Sequence, residues 1–344
     1  MIAFQVLWTP PLLQRTWGGL KLENPPSSID EMFSDYYLLT MILSVLQWKK
    51  LYQVPLKIYG DLNVITYLSK FELLSLWDEY DLETFENLDQ SIDSSCFYSA
   101  GKFYAYLKEP APCMMVDLDL VLWKNLDSFV SDIEVGFTHW EDTHPTCFWY
   151  CDKENLKTPK GYKFHDTWNW DIMAANTSLV YFKNDSFKNY YASEVIRYMV
   201  DNHVGGEFHL IKPELLFVEQ RLLPMCVEEM GLMDKMKPFI DTVWGTVEGH
   251  FTRNDNRIGE WRYYDLINQP ILTHLWIAKQ HFEKNTKYRN YFCYQLLNHI
   301  LTLAPDLFTK LEKIDCCKEH LIRYSRKGIA DELNQAEFSD QLFN

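Results

Sequence analysis

From Pro112 to Leu126 the chain reads PCMMVDLDLVLWKNL: an apolar run that ends in two aspartates one residue apart. Carboxylates at that spacing support three readings. At the carboxyl end of a central parallel strand, where open α/β sheets bind ligands, they coordinate a hard divalent cation that neutralises a diphosphate. Alternatively, Asp117 is a nucleophile with Asp119 as its acid partner. The third reading is plain: acids often mark strand ends, and Asp-x-Asp arises by chance in an acidic chain. A second set of chemistry-bearing side chains, His139, His144, Cys147, Cys151 and His165, falls between residues 139 and 165. Those types bind zinc, but HPTCFWYC has neither a Cys-x-x-Cys knuckle nor the paired spacing of known fingers.

The elements that must position these groups follow from the pattern. AFQVLW reads as a first strand, closed by Pro10-Pro11 and a loop through Trp17-Gly18-Gly19 to Pro25-Pro26. From Ser27 to Tyr52 the sequence is a strong helix, with Ser27, Ser28 or Asp30 as cap, acids at its start and Lys49-Lys50 at its end. VPLKIYG is a strand followed by a helical NVITYLSKF, and CFYSAGKFYAYLKE is a helix before the buried strand APCMMVD. IEVGFTHW and ANTSLVYFK are further strands. Apolar residues at three- and four-residue steps make SFKNYYASEVIRYMVDN and ELLFVEQRLLPMCVEEMG helices. KPFID and PILTHLW are late strands, and EKNTKYRNYFCYQLLNHILTLA is a C-terminal helix. Strand and helix alternate through the first half, the pattern of a parallel sheet built from βαβ units. Residues 140–170 are aromatic-rich with little helical periodicity, and read as a long surface excursion.

Composition excludes several classes. At 344 residues with 47% hydrophobic and 16% aromatic content, the chain supports one large α/β domain or two modest ones. A formal net charge of −15 argues against polymeric nucleic acid, which needs a basic face. The longest apolar run, in LLTMILSVL, is too short to span a bilayer, so no transmembrane segment is expected, and peripheral membrane contact stays open. The N-terminus lacks a signal-peptide pattern, and eight scattered cysteines do not make a secreted disulfide framework. A reduced, cytoplasmic setting is expected. Nothing in the sequence specifies an oligomeric state.

MMVDLDLV also resembles the nucleophile strand of haloacid-dehalogenase-like phosphatases, with Val121 where their pattern wants it. That nucleophile normally lies on an early strand, with a later Gly-Asp-x-x-x-Asp motif for magnesium. Here about a hundred residues of α/β pattern precede the pair, and no such motif follows Asp119. The whole arrangement instead resembles GT-A fold glycosyltransferases, especially the retaining sugar transferases related to glycogenin and to capsular and lipooligosaccharide enzymes. MVDLDLVLWKNL matches their Asp-x-Asp strand and the "vll" and "k-n/d-L" segments after it. FYSAGKFYAYL resembles the helix before that strand, with Lys102 as its basic residue. AANTSLVYFKN resembles the Asn-x-Gly strand, with Asn176 and with Ser178 in place of glycine. FVEQRLLP resembles the Asp-Gln helix start, with Glu219 and Gln220. ILTHLWIAKQ resembles the late His-x-x-Gly-x-x-Lys segment, one residue shorter and with Ile277 for the glycine, giving His274 and Lys279. The ordered set spans about two thirds of the chain.

The resemblance implies a mixed, mostly parallel α/β sheet flanked by helices, in a single catalytic domain over residues 1–314. Its nucleotide-binding half would cover about 1–126 and its acceptor half about 127–314, leaving 315–344 as a peripheral tail. It implies a metal-dependent hexosyltransferase that uses a nucleotide-sugar donor, with a UDP-sugar placed first, and a glycan-type acceptor. Mn²⁺ or Mg²⁺ would be held by Asp119 and His274, with Asp117 at the metal and the ribose. Lys102 and Lys279 would meet the diphosphate, and Asn176, Glu219 and Gln220 the sugar. Trp8 and Asp61, at strand ends, would meet the base or ribose. An inverting outcome would need Glu219 or Asp171 as base. Trp140, Trp149, Trp168 and Trp170 offer flat faces to acceptor rings. A non-catalytic nucleotide- or glycan-binding protein of the same fold is the reading from another class.

Overall fold

The computed structural model describes residues 1–9, 16–17, 20–21, 33–143, 150–205, 212–247, 250–253, 271–275 and 278–325. The expected loop to Pro26 and the start of the helix from Ser27 fall largely outside them. The strands used below are β1 (Ile2–Leu7), β2 (Leu56–Gly60), β3 (Glu79–Asp81), β4 (Cys113–Val116), β5 (Leu120–Leu122), β6 (Val135–Phe137), β7 (Trp140–Glu141), β8 (Ala174–Ala175), β9 (Leu179–Phe182), β10 (Met236–Pro238), β11 (Val243–Val247), β12 (His250–Arg253) and β13 (Leu272–His274). The helices are α1 (Asp35–Leu51), α2 (Leu62–Lys70), α3 (Ala100–Lys108), α4 (Asp185–Met199), a continuous α5 from Pro213 to Glu229, α6 (Ala278–Lys284), α7 (Thr286–Leu303) and α8 (Asp315–Ser325).

Seven strands make the central sheet in the order β10-β6-β9-β4-β1-β2-β3. β1 pairs parallel with both β2 and β4, β2 with β3, and β6 with β10. Only β9 runs against its neighbours, β4 and β6. This is the mixed, mostly parallel α/β sheet that the strand–helix alternation predicts. From β1 the chain winds one way through β2 and β3, then returns to place β4 on the other side of β1. The carboxyl ends of β1 and β4 therefore flank a topological switch point, where open α/β sheets hold ligands.

Alternation along the strands divides the core into two layers. Ala3, Ile58 and Met114 face α1 and α2, and Phe4, Tyr59 and Met115 face α3, α4 and α5. α1 is buried nearly all round because α7 covers the side turned away from the sheet, which explains its unbroken apolar run. Gly136, in the middle of β6, is required by packing: a Cβ there would lie 2.5 Å from the Phe239 ring. Beside the central sheet, β13 runs antiparallel to β5, β8-β7-β11-β12 form a four-stranded sheet, and Thr16–Trp17 pairs with Leu20–Lys21. The helix α8 buries Cys317, His320 and Leu321. Among the described residues no helix is long and apolar enough to cross a membrane.

Candidate active site

Asp117 leaves β4 at the switch point, its backbone NH bonded to Ser178 O at 2.8 Å. The chain then turns, with Leu120 N on Asp117 O at 3.1 Å, into β5. Pairing of β13 with β5 sets His274 opposite Leu120, and Leu275 N bonds to Asp119 O at 3.1 Å. A histidine about 150 residues downstream is thus fixed beside the second aspartate by strand register. His274 Nε2 lies 3.7 Å from Asp119 Oδ1. Lys279, in the first turn of α6, brings Nζ to 2.5 Å from Asp119 Oδ2. Lys102, on α3, lies between two acids: Nζ is 2.7 Å from Asp117 Oδ1 and 2.5 Å from Glu219 Oε1.

These contacts split the two carboxylates. Burial pushes Asp117 up, with help from the charges of Asp119 and Glu219, and Lys102 only partly offsets this. Burial would raise Asp119 too, but the charges of Lys279 and His274 overcome it and hold Asp119 below the usual carboxylate range. Burial lowers His274 to about 4, against the pull of Asp119, so the imidazole is neutral near pH 7. Lys102 is held above the usual ammonium range: burial works against its charge, but Asp117 and Glu219 outweigh it.

The same three donors fit a divalent cation. Ligand atoms of Asp117, Asp119 and His274 all lie within 4.8 Å of one another. Asp119 Oδ2 is buried, with the Lys279 ammonium as its close partner. A neutral imidazole with two carboxylates suits Mn²⁺ or Mg²⁺ chemistry.

Glu219 and Gln220 are both buried, at 9% exposure, rather than on a solvated helix face. They lie in a π turn, Phe217–Arg221, inside α5, a helix buried on all sides from Glu214 to Val227. Lys102 satisfies Glu219, and Tyr150 OH lies 2.5 Å from Gln220 Oε1 and 2.6 Å from Glu141 Oε2. Asn176 joins the same chain by donating Nδ2 to Glu141 Oε1 at 2.7 Å. Ser178, at the position where glycine was expected, uses its hydroxyl to donate to Asn176 Oδ1 at 2.7 Å and accepts from Thr138 Oγ1 at 2.8 Å. That serine fixes the orientation of the Asn176 amide.

Asp61 is tied into the frame. It caps α2 through Val64 N at 3.2 Å and accepts from Thr9 N and Oγ1 at 2.7 and 2.6 Å, which locks the ends of β1 and β2 together. Trp8 follows β1 and packs, half-buried, on the layer beneath α3. Of the residues expected from sequence, Lys102, Asp117, Asp119, Glu219, His274 and Lys279 form one charged cluster. Asn176 and Gln220 meet through Glu141 and Tyr150. Trp8 and Asp61 sit at the strand ends with no bond to that cluster among the described contacts.

Sequence reasoning missed Tyr37, Glu141 and Tyr150. Burial, with Asp119 and Asp117 nearby, raises the Tyr37 phenol far above its usual value, and Lys279 Nζ lies 5.6 Å from its ring centre. Tyr37 looked like ordinary helix core, and nothing in the sequence marked it. The aromatic excursion also differs from expectation. Trp168 is 4% exposed, and Trp170 stacks on Phe217 at 5.5 Å, so both serve packing rather than presenting free faces. Glu229 clamps this segment, accepting from Thr167, Trp168 and Tyr190 and lying 3.1 Å from His165 Nδ1. His144, Cys147 and Trp149 lie outside the described residues.

No family model matches the chain, and no curated protein sequence matches it. Among solved structures it is similar to mouse xyloside xylosyltransferase 1 in its apo form, at 12% identity over 69% of this chain and 84% of that one, TM-score 0.37. It is similar to the PaToxG glycosyltransferase at 12% identity over 93% and 85%, TM-score 0.34. It is also similar to a CTP:phosphocholine cytidylyltransferase, LicC, of Streptococcus pneumoniae, at 10% identity over 73% and 91%, TM-score 0.28. These are distant likenesses.

Proposed function

We propose that the chain is a metal-dependent glycosyltransferase that moves a sugar from a nucleoside-diphosphate donor, with a UDP-sugar first, to a glycan-type acceptor. One observation carries the reading. Two aspartates, a neutral histidine and two lysines converge from three segments of the chain at the carboxyl end of a switch-point strand. A Mn²⁺ or Mg²⁺ ion there would supply Lewis-acid stabilisation to the diphosphate as it leaves.

The protein's own groups then divide the work. Asp119 and His274 are the proposed ligands, and Asp117 lies toward the ribose. Lys279 leaves its ion pair with Asp119 to make charge-assisted contacts with phosphate, and Lys102 adds a second cation. Trp8 and the Asp61–Thr9 corner lie at the neighbouring strand end, where the base and ribose would rest. Glu219, Gln220 and Asn176, held by Lys102, Tyr150 and Glu141, would face the donor sugar's anomeric carbon and hydroxyls. A dry wall of this kind suits a retaining transfer through an oxocarbenium-like centre, in which the leaving diphosphate takes up negative charge as the C–O bond breaks. In this reading residues 1–314 act as one catalytic domain, in a compartment that keeps thiols reduced.

A panel of nucleotide sugars incubated with the protein and Mn²⁺ tests the proposal. Release of free sugar and nucleoside diphosphate from one donor supports it. Phosphate release from a simple phosphomonoester, with no donor cleaved, would turn the assignment toward a phosphatase. Tight nucleotide binding without any cleavage or transfer would leave a binding protein.

A further inference from the structure

The second cluster of metal-ligand side chains lies on the far side of α1, away from the switch point. Asp35 opens α1, Cys293 lies on α7 and His320 on α8. All three are buried, at 5%, 0% and 7% exposure, and their ligand atoms lie within 4.8 Å of one another. A carboxylate, a thiol and an imidazole from three helices have no reason from helix periodicity alone to meet at one point.

The surroundings extend the set. Cys317 precedes His320 by three residues on α8, so both project from one face of that helix. Cys317 is fully buried, and its Sγ lies 4.0 Å from that of Cys316. On the other side, Arg289 Nε donates to both oxygens of Asp35, at 2.8 and 3.1 Å, and Tyr36 N donates to Oδ1 at 2.6 Å. Carboxylates that bind metals are commonly held in this way by outer hydrogen bonds. His320 Nε2 lies 2.6 Å from Asp35 Oδ2, so the two groups already face each other.

We propose that Asp35, Cys293 and His320 form a structural site for a zinc-class divalent cation, with Cys317 as the fourth donor. Soft sulfur with imidazole and one carboxylate is a donor set that zinc takes in tetrahedral geometry, and it differs from the hard, oxygen-rich set at Asp117 and Asp119. On binding, each ligating thiol gives up its proton to solvent, and the imidazole carries its remaining proton on Nδ1. Arg289 offsets part of the negative charge that the thiolates bring. The ion would staple α7 and α8 to the first turn of α1. That turn leads directly into Tyr37, the phenol beside the two aspartates of the active-site cluster. The site stands independently of the proposed transferase activity.

Cobalt(II) titration of the full-length protein, reduced and freed of metal with a chelator, tests the proposal. A thiolate-to-cobalt charge-transfer band saturating at one equivalent is expected. It should persist in Asp119→Asn and disappear in Cys293→Ser and His320→Ala. Zinc should displace the cobalt and raise the unfolding temperature of the wild type by several degrees, without doing so in Cys293→Ser. A wild-type titration with no thiolate band would overturn the assignment whether or not the variants fold. So would a band that survives Cys293→Ser in a variant with unchanged circular dichroism.

Discussion

Replacing Lys102 with methionine keeps most of the side chain's length and removes only its charge. In the native protein Nζ touches both Asp117 and Glu219, which places their nearest carboxylate oxygens at most about 5 Å apart. With the ammonium gone, Coulomb's law at an effective dielectric constant of about 20 gives ~3 kcal/mol of repulsion between the two acids. Mutational experience with broken buried pairs points to the same range, about 3–5 kcal/mol. The side chains are 12–20% exposed, too little for solvent to screen the effect away. Protonation sets the pH dependence. In the variant Asp117 loses the cation that holds its pKa down and rises further above its unfolded value near 4, so the folded state binds more protons. The variant's stability relative to wild type is then nearly intact in acid and is lost as pH rises through about 7, where Asp117 ionises in the wild type. Asp117 is already raised in the wild type, and the comparison must therefore be made between the two proteins at each pH. Urea unfolding at pH 8 and at pH 4.5 measures this. The expected loss is about 3 kcal/mol at the higher pH and under about 1 kcal/mol at the lower. An equal loss at both values, or one below about 1 kcal/mol at pH 8, would refute the claim that Lys102 holds two ionised acids together.

Other substitutions probe separate parts of the structure. In Glu229→Gln, the clamp on the aromatic segment loses its charge and should cost about 1–3 kcal/mol near neutral pH by urea unfolding. Burial would raise the Glu229 pKa, but the bonds from Thr167, Tyr190, His165 and Trp168 hold it at about 2. Its contribution is therefore present above the unfolded value near 4.5 and is lost as pH falls toward 2, so the wild type and variant should converge in acid. Gly136→Ala should destabilise by about 1–3 kcal/mol in thermal or urea unfolding, because the added methyl meets the Phe239 ring. His274→Ala should weaken Mn²⁺-dependent nucleotide binding at least tenfold, read by calorimetry across a Mn²⁺ series. Unchanged metal dependence would remove His274 from the proposed metal shell.

Much of the frame was legible because strand and helix periods differ and buried strands read as short apolar runs. β1, β2, β4 and β9, and the helices from α1 to α5 and α7, lie close to where the pattern placed them. What escaped was set by tertiary context. β3 and β5 are three residues each, too short for a period, and exist because β2 and β13 supply hydrogen-bond partners. The burial of α5 on all sides leaves no mark in the sequence, yet it decides that Glu219 and Gln220 are buried rather than solvated. The same holds for the ligand-type residues. Asp117 and Asp119 could be singled out by spacing, whereas the meeting of Asp35, Cys293 and His320 depends on how three helices pack, which no local pattern encodes. The sequence offers the tryptophans of residues 140–170 as flat faces for acceptor rings, but at Trp168 and Trp170 packing accounts for them.

The central claim is that Asp119 serves a cation that in turn holds a nucleoside diphosphate. Calorimetric titration of UDP into the protein, with Mn²⁺ and then with chelator, tests it most directly when repeated on Asp119→Ala. The account predicts binding that requires Mn²⁺ and vanishes in the variant while the circular dichroism spectrum is unchanged. Equal UDP affinity in chelator, or in folded Asp119→Ala with Mn²⁺, would contradict it.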